Sequence, residues 1–147
     1  MSTSAVTHRS PLQLTAYIVG AVFLLVGILG FIPALTTMGQ IGFAGYGSHT
    51  LLLGLFQVSV LHNIVHGLFG IAGLVLARTA GAAKGYLVWG GAIYLVLFVY
   101  GLIFTGDVAA NFVPINAADN VLHLVLGVGM IALGLTLGRR AVMVPRH

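Results

Sequence analysis

Ser59-Val60-Leu61-His62-Asn63-Ile64-Val65-His66 opens one apolar run, and Asn116-Ala117-Ala118-Asp119-Asn120-Val121-Leu122-His123 opens another. Both read polar-x-x-(His/Asp)-Asn-apolar-apolar-His, and both continue into uncharged, glycine-bearing sequence. Polar and ionisable groups are costly in hydrocarbon, so inside a membrane segment they mark a functional site by default. The same costly cluster written twice locates a site. It does not name an activity.

The flanking sequence decides the class. Of 147 residues, 59% are hydrophobic and 5% are charged, against about 25% charged in soluble domains. So little charge cannot solvate a globular surface. The chain therefore reads as one transmembrane domain over residues 1–147, with no separate soluble module. A spanning helix needs about 20 mostly apolar residues. Four stretches qualify, roughly 12–32, 59–77, 85–105 and 117–137. The expected fold is all-α, an integral membrane four-helix bundle in the lipid bilayer. The first run is too long for the apolar core of a signal peptide and is read as retained.

Charge sets the expected orientation. Arg9, Arg78, Lys84, Arg139, Arg140 and Arg146 fall on one side of the four-span arrangement, and Asp107 and Asp119 fall at or near the other. The positive-inside rule then places both termini in the cytoplasm. The net charge of +4 is scattered over segment ends, so it is not a nucleic-acid footprint. The tight turn 78–84 contrasts with the long glycine-rich connection 33–58. Phe43, Tyr46, Leu51 to Leu53 and Phe56 place that connection at the membrane interface. It can be a surface loop or a short interfacial helix.

The second and fourth spans run the same way, so the two helical hairpins read as parallel repeats about an axis along the membrane normal. Such repeats are common in transport folds, and gene duplication gives them to any bundle. On each helix His62 and His66, and Asp119 and His123, are four residues apart and share a face. Asn63 and Asn120 border it. His66 and His123 lie about 10 Å along their helices at 1.5 Å per residue, with Gly70 and Gly127 one turn deeper. Ala16-x-x-x-Gly20 and Gly134-x-x-x-Gly138 are small-residue pairs that suit helix packing.

Several readings of the cluster stay open. Ser59 and Asn116 are placed to cap their helices, with Asp119 completing a capping box. Asn63, His66, Asn120 and His123 lie deeper and can act as polar glue between the second and fourth helices, at about 0.6–2 kcal/mol each. His62, His66, Asp119 and His123 form a plausible ligand set for a transition metal such as zinc, copper or iron, with the asparagines orienting them. His66 and His123 could instead be the axial ligands of a b-type haem. A proton or small-molecule site is the remaining option, although no ionisable residue continues the path into the inner half. Trp89, Tyr94 and Tyr100 read as packing residues, and His8, His49 and His147 as solvated.

Cysteine and glutamate are absent, and no Gly-x-Ser-x-Gly, P-loop or His-Glu-x-x-His motif occurs. Enzymatic chemistry is therefore disfavoured unless a metal or haem occupies the cluster. Leu53-Gly54-Leu55-Phe56, Leu61-His62-Asn63-x-Val65-His66 and Asn116-Ala-Ala-Asp119-Asn120-x-Leu122-His123 resemble a family of small four-span bacterial membrane proteins, commonest in actinobacteria and catalogued as a domain of unknown function. The resemblance runs from about Leu12 to Leu137. That family often has Asn and Pro where this chain has Ser59 and Val60. The resemblance implies four helices in a bacterial plasma membrane and implies no activity. The preferred expectation is a non-enzymatic accessory or scaffold protein whose cluster joins the second and fourth helices. The rival is a metal- or haem-binding redox or sensing protein, and a transporter is third. A homo-oligomer or a membrane-protein partner is compatible with the exposed small-residue faces.

Overall fold

A computed structural model describes residues 9–37, 41–45, 47–104, 106 and 108–142. His8, Tyr46, Thr105, Asp107, Arg146 and His147, and the side chain of Arg140, lie outside the described residues. The chain is mostly helical, with α1 over Pro11–Leu29, α2 over Val60–Leu76, α3 over Ala80–Ile103 and α4 over Ala117–Val142. Three of these, α1, α3 and α4, are long and apolar enough to cross a membrane, whereas α2 is apolar but has 17 residues.

Local chemistry sets the boundaries. Ser10 and Gln13 form a reciprocal capping box, and Pro11 occupies the first turn of α1, where its missing N–H costs nothing. Thr79 Oγ1 accepts the Ala82 N–H, so α3 starts at Ala80 and the turn expected over 78–84 shrinks to its first residues. Alanines at 80, 82 and 83 favour helix there.

The helices pair as two antiparallel hairpins, α1 with α2 and α3 with α4. Gln13 Nε2 donates to the Arg78 carbonyl at 2.8 Å, fastening the start of α1 to the end of α2. In lipid the hydrophobic effect does not hold helices together, so close packing must do so. A Cβ on Gly20 would stand 2.9 Å from the Gly70 carbonyl oxygen and 2.8 Å from the Leu74 nitrogen. A Cβ on Gly91 would stand 2.7 Å from the Gly127 carbonyl oxygen and 3.1 Å from the Ile131 nitrogen. Both hairpins therefore meet backbone to backbone. Outside, Leu14, Ile18, Val22, Leu25 and Ile28 form a half-exposed apolar face on α1. A contiguous face of that size is a liability in water and is normal in lipid.

The chain is not purely α. Connection 33–58 carries a three-stranded antiparallel sheet, β1 (Thr36–Thr37), β2 (Leu51–Leu52) and β3 (Phe56–Gln57), in the order β1-β2-β3. Leu52 pairs with both Thr36 and Phe56. No interfacial helix forms among the described residues of 36–58. These residues instead fold back on the start of α2. The Val60 and Leu61 N–H groups donate to the carbonyls of Gly42 (3.0 Å) and Phe43 (2.8 Å), and the Gly45 N–H donates to Phe112 on the α3–α4 connection at 2.7 Å.

Gly70→Ala and Gly91→Ala are expected to cost about 1–3 kcal/mol each through overpacking. Gly129→Ala, where a Cβ meets open space, should cost nothing. Thermal unfolding in detergent checks all three.

Candidate functional site

The two repeated stretches start α2 and α4 and bring their polar side chains under the sheet. Ser59 Oγ accepts the His62 N–H at 3.1 Å and caps α2. On α4, Asn116 Oδ1 accepts the Asp119 N–H at 2.9 Å while Asp119 Oδ2 accepts the Asn116 N–H at 3.1 Å. This is a reciprocal capping box. Both residues also reach beyond their helix. Asp119 Oδ2 accepts the Gln57 N–H of β3 at 3.0 Å, and Asn116 Nδ2 donates to the Leu55 carbonyl at 2.8 Å. The start of α4 thus holds the β2–β3 hairpin that leads into α2.

The asparagines do not join α2 to α4. Asn63 is 2% exposed, and its side chain fills the place where a Cβ on Gly30 would stand, at the end of α1. Asn120 does the same against Gly101 on α3. Each is seated within its own hairpin. Among the described residues no hydrogen bond links Asn63, His62 or His66 to Asn120 or His123; the Nδ2 of Asn63 and the Oδ1 of Asn120 are buried without partners. The expected inter-helix clamp is carried instead by Asn116 and Asp119, through the hairpin.

His62 and His66 meet along α2, with Nε2 to Nε2 at 2.9 Å. The Pro114 carbonyl approaches the His62 ring without reaching hydrogen-bond geometry. The Nδ1 atoms of His62, His66 and His123 are all buried and unpartnered. Deeper, rings close the space. Phe23 lies edge-on to His66, with centroids 5.5 Å apart and planes at 70°, and Tyr94 lies edge-on to His123 at 5.3 Å and 70°. Phe23 and Tyr94 stack on each other at 5.1 Å, and Phe69 packs edge-on to both. Tyr94 is thus a wall of the site, although its position on an apolar span reads as simple packing. Its signal is an offset: the spacing that separates Gly20 from Gly91 and Gly30 from Gly101 also separates Phe23 from Tyr94.

His62, His66, Asp119 and His123 line one cavity of about 100 Å3, together with Val26 and Leu29 of α1, Leu122 of α4 and residues of the β2–β3 hairpin. Among the described residues no group of three or more His or Asp side chains is arranged to hold a metal ion. The cavity is also far below the roughly 300–1,000 Å3 of sites that enclose cofactor-sized ligands. A porphyrin does not fit it.

A family model described as Domain of unknown function (DUF4383) matches residues 13–136. The chain belongs to that family. The DUF4383 match runs from the first turn of α1 to the last third of α4 and includes every residue of the cluster. No curated protein and no solved structure matches the chain.

Asp119→Ala would leave the Gln57 and Asn116 N–H groups without their acceptor, at about 1–3 kcal/mol for each group that stays buried. Asp119→Asn keeps a carbonyl oxygen there and should lose less. Unfolding in detergent, with both variants beside the parent protein, measures the difference.

Proposed function

We propose that this chain is a multi-pass protein of the bacterial plasma membrane, one domain crossing four times with both termini in the cytoplasm. It serves as a non-enzymatic accessory or scaffold. The observation that carries the scaffold reading is the seating of Asn63 and Asn120 on glycines of their own hairpins. There the two amides are used for packing within a hairpin.

Several features support the topology. The 17 residues of α2 span about 25 Å at 1.5 Å per residue, within the lower range for a crossing. Arg9, Arg78, Lys84 and Arg139 lie at the end shared by the start of α1, the α2–α3 turn and the end of α4, and basic residues favour the cytoplasmic side. The hairpins behave as repeats in their contacts: Gly20 on Gly70 and Leu74 corresponds to Gly91 on Gly127 and Ile131, and Phe23 on His66 corresponds to Tyr94 on His123. An accessory role implies a partner in the bilayer, another copy or another membrane protein.

The rival reading, a metal-binding redox or sensing protein, draws on four ligand-type side chains that share one cavity. A transporter would need a polar path inward, where the rings of Phe23, Phe69 and Tyr94 pack.

The chain has no cysteine, so single cysteines report topology cleanly. Gly47→Cys, exposed beside the sheet, should react with an impermeant maleimide on intact cells. Gly81→Cys, exposed at the start of α3, should react only after permeabilisation. Reaction of both on intact cells would remove the proposed four-crossing arrangement. Elemental analysis and a visible spectrum of untagged protein, purified without chelator, test the rival. A stoichiometric metal lost in His66→Ala and His123→Ala would replace the scaffold reading.

A further inference from the structure

The two repeated stretches are capped differently, and the difference leaves donors without acceptors. At the start of α2 the Val60 and Leu61 N–H groups donate to the Gly42 and Phe43 carbonyls. Ala117 and Ala118 hold those places in the second stretch. The capping box of α4 serves the N–H groups of Asn116 and Asp119. Among the described residues nothing accepts those of Ala117 and Ala118. The asparagines differ in the same sense. Asn63 has its Nδ2 buried. Asn120 has its Oδ1 sealed against Gly101 without a partner, which leaves the Nδ2 edge of the amide on the open side. That amide lines a pocket of about 370 Å3, together with Gly101 and Leu102 of α3, Gly106, Ile115 and Ala117. Asn120 is only 8% exposed, so bulk solvent does not serve it.

We propose that this pocket is a lipid site, in which the Nδ2 of Asn120 and the free N–H of Ala117 donate to an ester carbonyl of a glycerolipid. The start of α2 shows the chemistry that suits such donors: carbonyl oxygens, supplied there by the chain itself. Charge narrows the choice. The described basic side chains, Arg9, Arg78, Lys84 and Arg139, lie at the far end of the bundle. Asp119 already sets a carboxylate in the first turn of α4, where the helix dipole would otherwise attract an anion. A phosphate or free carboxylate would meet repulsion there and no counter-charge. A neutral carbonyl needs none. Size agrees, since the pocket falls within the roughly 300–1,000 Å3 of small-molecule sites. It reaches the surface at Leu102 and Ala117, which are exposed, so acyl chains can leave it along the apolar outer faces of α3 and α4. Depth agrees as well. Tyr100, near the end of α3, and Phe112 pack edge-on at 5.9 Å. Aromatic rings favour the headgroup level, and glycerol esters border the hydrocarbon core there.

The proposal rests on the membrane reading above, and one experiment separates the two. Protein with 15N-asparagine and 13C-methyl valine is placed in phosphatidylglycerol bilayers that carry 13C at the ester carbonyls. Solid-state NMR then reads through-space contacts. A cross-peak between the Asn120 side-chain nitrogen and the ester carbonyl is expected. Ala117→Phe, which fills the pocket, should abolish it, whereas Val121→Phe on the exposed face of the next turn should leave it. Contacts between lipid chains and the methyls of Val125, 61% exposed, report immersion independently. Those contacts without the Asn120 cross-peak in the parent protein overturn the lipid site and leave the membrane reading standing, whether or not Ala117→Phe folds. Loss of both overturns both. A cross-peak that persists in folded Ala117→Phe also overturns the lipid site.

Discussion

Backbone-to-backbone contact inside each hairpin is the constraint on which the rest of the structure depends. Lipid tails are as apolar as leucine, so helices in a bilayer gain little from burying apolar area against one another. Van der Waals packing must supply the association, and it falls away within an ångström of extra separation. Gly20 against Gly70 and Gly91 against Gly127 bring the axes close enough for that packing. The same closeness dictates where the asparagines go. Once α1 approaches α2, and α3 approaches α4, this tightly, only a glycine leaves room for an amide, and Gly30 and Gly101 supply that room for Asn63 and Asn120.

A second constraint acts at the end where α2 and α4 begin. The first N–H groups of a helix lack intrahelical partners, and near hydrocarbon water cannot be relied on to serve them. The two helices solve this differently. The carbonyls of Gly42 and Phe43 and the hydroxyl of Ser59 serve α2, so a loop must fold back over it. α4 serves itself through Asn116 and Asp119. Asp119 then has acceptor capacity left for Gln57, which fixes the hairpin between the two helix starts. The roof over the histidines is therefore a by-product of capping, and cap and cavity cannot be altered independently.

The sequence makes the apolar spans legible because composition alone separates lipid-facing helices from loops. The start of α3 was less legible, since the small residues that follow Thr79 suit a tight turn as well as the first turn of a capped helix. The sheet was harder still. Its strands are two residues long and carry no alternation that could be read, and they exist because Leu52 finds partners 16 residues before it and four after it. The cluster was legible as a set of residues but not as a set of contacts. Spacing of three and four places Asn63 and His66 on adjoining parts of α2. It does not say which helix that face meets, and the answer for Asn63 is α1. Tyr94 was hidden because a tyrosine in an apolar span is ordinary until the two halves are laid over one another.

The placement of the polar groups along the helices follows from their cost. A polar side chain is most expensive at the bilayer centre and cheaper near either interface. The histidines and Asp119 occupy the first two turns of α2 and α4, and the turn that follows is closed by Phe23, Phe69 and Tyr94. Aromatic rings suit that boundary, since their edges accept contact with imidazole on one side and their faces pack against aliphatic side chains on the other. Beyond them the hairpins are held by glycine, alanine and leucine, with Leu12, Ala16, Ala83 and Leu87 buried. The molecule is thus divided along its length into a part at the starts of α2 and α4 that gathers the histidines and Asp119, and a part beyond the rings held by close packing together with the Gln13–Arg78 and Tyr86–Phe69 hydrogen bonds.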